Sequence, residues 1–160
     1  MLKKENNVAL TEKEKAWVRR VVKQAKEDSA KYGCKDKHGA ANGKQDEYLG
    51  YEGEVAVQKF LGRKKYSIII NNFSKDKADI YPDIEVRTRS NPSYELLIRK
   101  DDIPDRKYVL VVKVPEGYNI VGWMRAKEVF PHIEWISNHG GHGDAWFVPQ
   151  FKLHDPVLLR

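Results

Sequence analysis

A single cysteine, Cys34, is all that this chain of 160 residues offers to disulfide chemistry, so an intramolecular disulfide framework is excluded. No run approaches the roughly 20 apolar residues that a membrane-spanning helix requires, and the opening MLKKENNVAL lacks the apolar stretch of a secretory signal. These absences predict a reducing, cytoplasmic setting and no membrane partner. There is no serine elbow, no phosphate-binding Gly-Lys loop and no internal repeat, which leaves nucleophilic catalysis without support. Charge, by contrast, is plentiful. Lys and Arg number 29 against 23 Asp and Glu, a net +6, while 41% apolar residues suffice for one core. The surplus suits a polyanionic partner, although solubility alone explains part of it.

Thr11 with Glu14 three residues on forms a capping box, and Trp17, Val18, Val21, Val22 and Ala25 follow as one apolar stripe, which predicts a helix over Thr11 to Ala30. The opposite face carries Lys15, Arg19, Arg20, Lys23 and Lys26, read as solvated in preference to tracking a phosphate backbone. The stretch YGCKDKHGAANGKQD reads as a basic loop. A second helix is expected over Asp46 to Leu61, with Leu49, Val55, Ala56, Phe60 and Leu61 apolar and Gly62 as its stop. Strand-type runs then take over: SIII, ADI, IEVRT, ELLI, the central-strand candidate YVLVVKV, and YNIVGW after the turn PEG. A long shaped loop from Phe130 to Asp144 precedes AWFVP. Trp123, Trp135 and Trp146 are read as core, with base stacking as the alternative. The whole chain, 1–160, reads as one domain.

The informative segment is KADIYPDIEVRT. Pro82 cannot donate a ladder hydrogen bond and favours a turn, so Tyr81, Pro82 and Asp83 are expected to close a hairpin. Pairing about Pro82 sets Ile80 against Ile84, Asp79 against Glu85, Ala78 against Val86 and Lys77 against Arg87. One face is then apolar and the other charged. Carboxylates directly opposite on neighbouring strands have Cβ atoms roughly 4.5–5.5 Å apart and destabilise the pair unless a positive charge lies between them. A hard divalent cation, Mg²⁺ or Mn²⁺, resolves the conflict. Neutralisation by Lys77 and Arg87 in a surface ladder is the plainer alternative.

Here the chain resembles the PD-(D/E)XK nuclease superfamily, the restriction-endonuclease-like fold. Its hallmark is a helix bearing a Glu, an Asp on one strand, then an acid, any residue and a Lys on the next. The matching residues are GYEGEVAVQKFLG, Asp79 in KADI, and Glu85, Val86 and Arg87 in IEVRT, within a span of about Gly50 to Val114. The resemblance implies an α/β fold with a mixed central sheet flanked by helices. Its core would be about 46–130, preceded by the N-terminal helix and followed by a loop-rich extension, 131–160. It further implies DNA phosphodiester hydrolysis by a metal-activated water. Asp79, Glu85 and the Val86 carbonyl would be ligands to Mg²⁺ or Mn²⁺, and Glu54 would hold a water or a second ion. Glu52 matches the helical pattern less well.

Arg87 departs from the family, because a guanidinium stays charged and cannot act as a general base. It would instead orient water and stabilise charge on the scissile phosphate, with Lys77 as another source of an ammonium group. Arg89 and Arg99 are candidate phosphate contacts, or guards against edge aggregation. DNA is the expected partner, with RNA also open. A homodimer is expected by analogy only. Two rival readings remain: a nucleic-acid-binding module without cleavage on the same fold, and a small interaction protein stabilised by zinc on Cys34, His38, His139 and His142.

Overall fold

The computed structural model describes residues 2–31, 47–70, 77–138, 141 and 143–160. The first helix, α1, spans Glu12–Lys31 and begins where the capping box predicts. The Glu14 N–H donates to Thr11 Oγ1 (3.1 Å), and the Thr11 N–H donates to Glu14 Oε1 (2.8 Å), so two otherwise orphaned donors are satisfied reciprocally. Val18 and Val22 are buried while Trp17, Val21 and Ala25 are half-buried, and Arg19, Arg20 and Lys23 are exposed.

The second helix, α2 (Glu47–Phe60), is buried at every position from Glu52 to Gln58, unlike an ordinary surface helix. Lys59 ties it to the start of α1 through the Ala9 carbonyl (2.9 Å) and the Glu14 carboxylate (2.8 Å).

The strands are β1 (Asn7–Val8), β2 (Ile84–Arg89), β3 (Leu96–Arg99), β4 (Lys107–Val114), β5 (Gly117–Arg125), β6 (Ile136–Ser137) and β7 (Ala145–Val148), with a short helix α3 at Ala126–Val129. A four-stranded sheet runs β1-β5-β4-β2, in which β2 and β4 are parallel and the other neighbours antiparallel; a second sheet runs β3-β7-β6. The run YVLVVKV is the buried centre, as expected, because it faces apolar layers on both sides. Val109 and Val111 join the helices in one core, while Tyr108, Leu110, Val112 and Val114 join Leu96, Ile98 and Val148 in the other.

The fold is therefore α/β with a mixed sheet, but α1 and α2 cover one face and the second sheet with α3 covers the other. The expectation was a mixed central sheet flanked by helices. The segment 131–160 is also more than a loop-rich appendage, since β7 is the middle strand of the second sheet and pairs with β3 of the expected core.

Two strand expectations fail. SIII forms no strand, because the Gln58 side chain takes the place of a ladder partner: its Nε2 donates to the Ser67 carbonyl and its Oε1 accepts from the Ser67 N–H, both at 2.8 Å. ADI contributes only one bridge, Ile80 to Ile84. The three tryptophans named above pack against the cores.

Gly53 decides how closely α2 approaches β2. A Cβ there would stand 1.9 Å from Thr88 Oγ1 and 2.9 Å from Thr88 Cβ, whereas one at Gly50 would meet nothing within 4 Å. Gly53→Ala is therefore expected to lower the unfolding free energy by about 1–3 kcal/mol, and Thr88→Ala in the same chain to recover part of it. Gly50→Ala, in the same helix, should be neutral or stabilising by up to ~1 kcal/mol. Urea unfolding of the four proteins checks this, and equal effects at the two glycines would contradict the close approach.

Candidate active site

The hairpin forms about Pro82, with Tyr81, Pro82 and Asp83 as its turn and a cis Tyr81–Pro82 peptide. Ile80 and Ile84 exchange both backbone hydrogen bonds (2.9 and 3.0 Å). The next pair outward, Asp79 and Glu85, is thus of the non-hydrogen-bonded kind, in which side chains lie closer. There the ladder stops. The Val86 N–H donates to Asp79 Oδ2 (2.9 Å), so a carboxylate occupies the place of the next strand residue.

The expected pairs Ala78–Val86 and Lys77–Arg87 consequently do not form, and Lys77 lies exposed off the strand. Successive residues of an extended strand direct their N–H and C=O to alternate sides, each residue sending both the same way. The Val86 carbonyl therefore looks out over this same edge of β2, which no described strand covers.

Asp79 and Glu85 face each other at this edge, and the charges of both reach Glu54. Burial, then the neighbouring Asp79 charge and a hydrogen bond with Asp79, push Glu85 up to about 7, against an opposing pull from Arg106. Glu54 arrives from α2. Burial first, then Asp79 and Glu85, hold its carboxyl well above the ordinary range, and its Oε2 is buried without a hydrogen-bond partner among the described residues. Glu52, two residues earlier, turns elsewhere and accepts from the Tyr118 hydroxyl. Among the described residues no three His, Cys, Asp or Glu side chains converge to hold one ion. The candidate donor set is accordingly the pair Asp79 and Glu85, with Glu54 beside them and not as a third ligand.

The positive charges are arranged differently from the sequence expectation. Arg106 Nη1 bonds Glu85 Oε1, with side-chain exposures of only 10% and 18%. Arg87 points to Asp102 (2.8 Å) and lies over the Tyr108 ring at 5.1 Å, while the other Asp102 oxygen accepts from the Arg99 N–H (2.8 Å). Arg87 is thus a fixed cation on the face of Glu85 and not the counter-charge of the acid pair.

Arg89 covers the Tyr94 ring at 4.7 Å, and Arg99 is exposed at the end of β3. Arg106, Asp102 and Tyr108 escaped sequence reasoning. Arg106 is signalled only by standing before the strand that pairs with β2, a parallel partnership that no local pattern reveals.

Cys34, His38, His139 and His142 lie outside the described residues. No helix among the described residues is long and apolar enough to cross a membrane. No family model, no curated protein and no solved structure matches the chain, so the reading of this site rests on its own geometry.

Proposed function

We propose that the protein is a metal-dependent nuclease on a restriction-endonuclease-like variant of the α/β fold, hydrolysing DNA phosphodiester bonds at the open edge of β2. The observation that carries this reading is the gathering of Asp79, Glu85 and Glu54, with Glu85 pushed up to about 7 by burial and by Asp79.

Such crowding of acids is costly unless a cation offsets it. The donor chemistry fits Mg²⁺ or Mn²⁺: hard oxygens from two carboxylates, with the Val86 carbonyl facing the same edge, leave the remaining positions to water and phosphate. Asp79 and Glu85 would hold the ion. When bound, it would lower the pKa of a water and offset charge on the phosphate.

The chain's own groups divide the remaining work. Arg87, held by Asp102 and Tyr108, offers a positive charge to a phosphate oxygen. Glu54, whose Oε2 has no hydrogen-bond partner among the described residues, accepts a hydrogen bond from the attacking water and orients it. The exposed Lys77 and Arg99 are weaker phosphate contacts.

One observation favours a second reading. The Arg106 guanidinium already pairs with Glu85, as it would in a nucleic-acid-binding module that keeps the fold without cutting. Incubating the protein with single-stranded, duplex and branched DNA in Mg²⁺, Mn²⁺ or EDTA separates the two. Cutting is expected with either ion, abolished by EDTA and reduced about 100-fold or more by Glu85→Gln. Binding with no cutting under any of these conditions leaves the second reading.

A further inference from the structure

We infer that the hairpin tip and the end of α2 form a platform for unstacked nucleic acid, with Tyr81 stacking a base and Arg63, Lys64 and Lys65 holding the adjoining phosphates. The inference rests on the nuclease reading for its purpose and names the substrate class as DNA with a single-stranded or splayed segment.

Helix α2 ends on a left-handed Gly62 (φ 77°). The Gly62 N–H donates to the Lys59 carbonyl and the Arg63 N–H to the Gln58 carbonyl, each at 3.0 Å, the bond pattern of a Schellman stop. That turn sets the direction in which Arg63 leaves the helix. Arg63 Nη2 then donates to the Tyr81 carbonyl (3.1 Å), which fastens the basic run to the hairpin tip. Residues 63, 64 and 65 are all exposed. Arg160 adds a fourth cation, its Nε donating to the Phe60 carbonyl at 3.0 Å.

The negative end of a helix dipole accounts for cations here. It does not account for Tyr81, which leaves 81% of its surface in water on a turn whose apolar partners, Ile80 and Ile84, are buried. Tyr81 follows Asp79 by two residues, a separation of at most about 7 Å along the chain. A base on the Tyr81 ring would thus belong to a nucleotide close along the strand to a phosphate at the acid pair. Aromatic faces accept any base and contribute to binding without sequence readout, but only when the base is out of its stack.

The test is fluorescence anisotropy in EDTA at about 50 mM salt, where phosphate contacts are strong, with labelled single-stranded, forked and blunt duplex oligonucleotides. Wild type is expected to prefer the first two. Tyr81→Ala should weaken these by roughly tenfold or more and leave the duplex unchanged, while Tyr81→Trp retains the preference. Lys64→Ala with Lys65→Ala should weaken all three and flatten the salt dependence. An absence of preference in wild type, no binding at all, or an equal loss on all three substrates with Tyr81→Ala overturns the platform. Because no divalent ion is present, failure here is separate from failure of the cleavage reading, which the ion-dependent assay decides.

Discussion

Replacing Asp79 by Asn should abolish cutting, by about 10³-fold or more, while leaving the protein as stable as wild type or more so at pH 8. The two effects have one source. An Asn side-chain oxygen still accepts from the Val86 N–H, so the bond that ends the hairpin ladder is retained. What disappears is one of the negative charges that raise Glu85 and Glu54.

Asp79→Ala removes the acceptor as well and should cost about 1–3 kcal/mol through the unsatisfied Val86 N–H. Cleavage rates and urea unfolding of the Asn and Ala proteins therefore separate the electrostatic role from the structural one. An Asp79→Asn protein that cuts within tenfold of wild type would remove the acid pair from the chemistry.

The second large effect is a pH dependence of stability that a divalent ion reverses. Glu85 has an ordinary value of 4.5 and is pushed up to about 7 in the folded chain. Below 4.5 both folded and unfolded states carry its proton, and the stabilising preference of the folded state for that proton is fully present. As pH rises the unfolded state releases the proton first. The unfolding free energy then falls through the window up to about 7, by on the order of 2–3 kcal/mol after discounting for partial exposure.

Glu54 is raised in the same direction and acts in the same sense. Glu14, next to Lys59, and Glu128, bonded to Arg125 and His154, are lowered despite partial burial. Their contribution is present above the ordinary value and lost as pH falls. A cation that binds only the ionised pair should stabilise at pH 8 and not at pH 5, with a rise in Tm on the order of 5 °C at saturating Mg²⁺ or Mn²⁺. Thermal melts at the two pH values, with and without ion, measure it. The same rise at both, or none at pH 8, would be incompatible with Asp79 and Glu85 as the cation site.

Much of the local structure is written in short patterns. The capping box and apolar stripe locate α1, Gly62 marks the end of α2, and seven residues from Tyr108 to Val114 announce a buried strand, because each signal depends on neighbours along the chain. The same holds for the turn about Pro82 and the opposition of Asp79 and Glu85, whose register is a consequence of the Ile80–Ile84 pair. Patterns reach no further than their own segment. SIII has the composition of a strand, but a side chain of α2 satisfied the backbone of Ser67 first. Likewise, Lys77 matches Arg87 on paper, but Asp79 ended the ladder before they could meet.

The counter-charges show where sequence ends and packing begins. From its own residues the chain determined a hairpin with two facing acids, a preceding helix bearing Glu54, and an arginine, Arg87, two residues past the second acid. Tertiary structure alone decided which cation serves which acid. The parallel pairing of β2 with β4 carries Arg106 to Glu85, and the turn after β3 carries Asp102 to Arg87. A charge on a flexible side chain has no preferred partner until the backbone limits its reach and burial removes water as the alternative, and both conditions are met only when distant segments have packed.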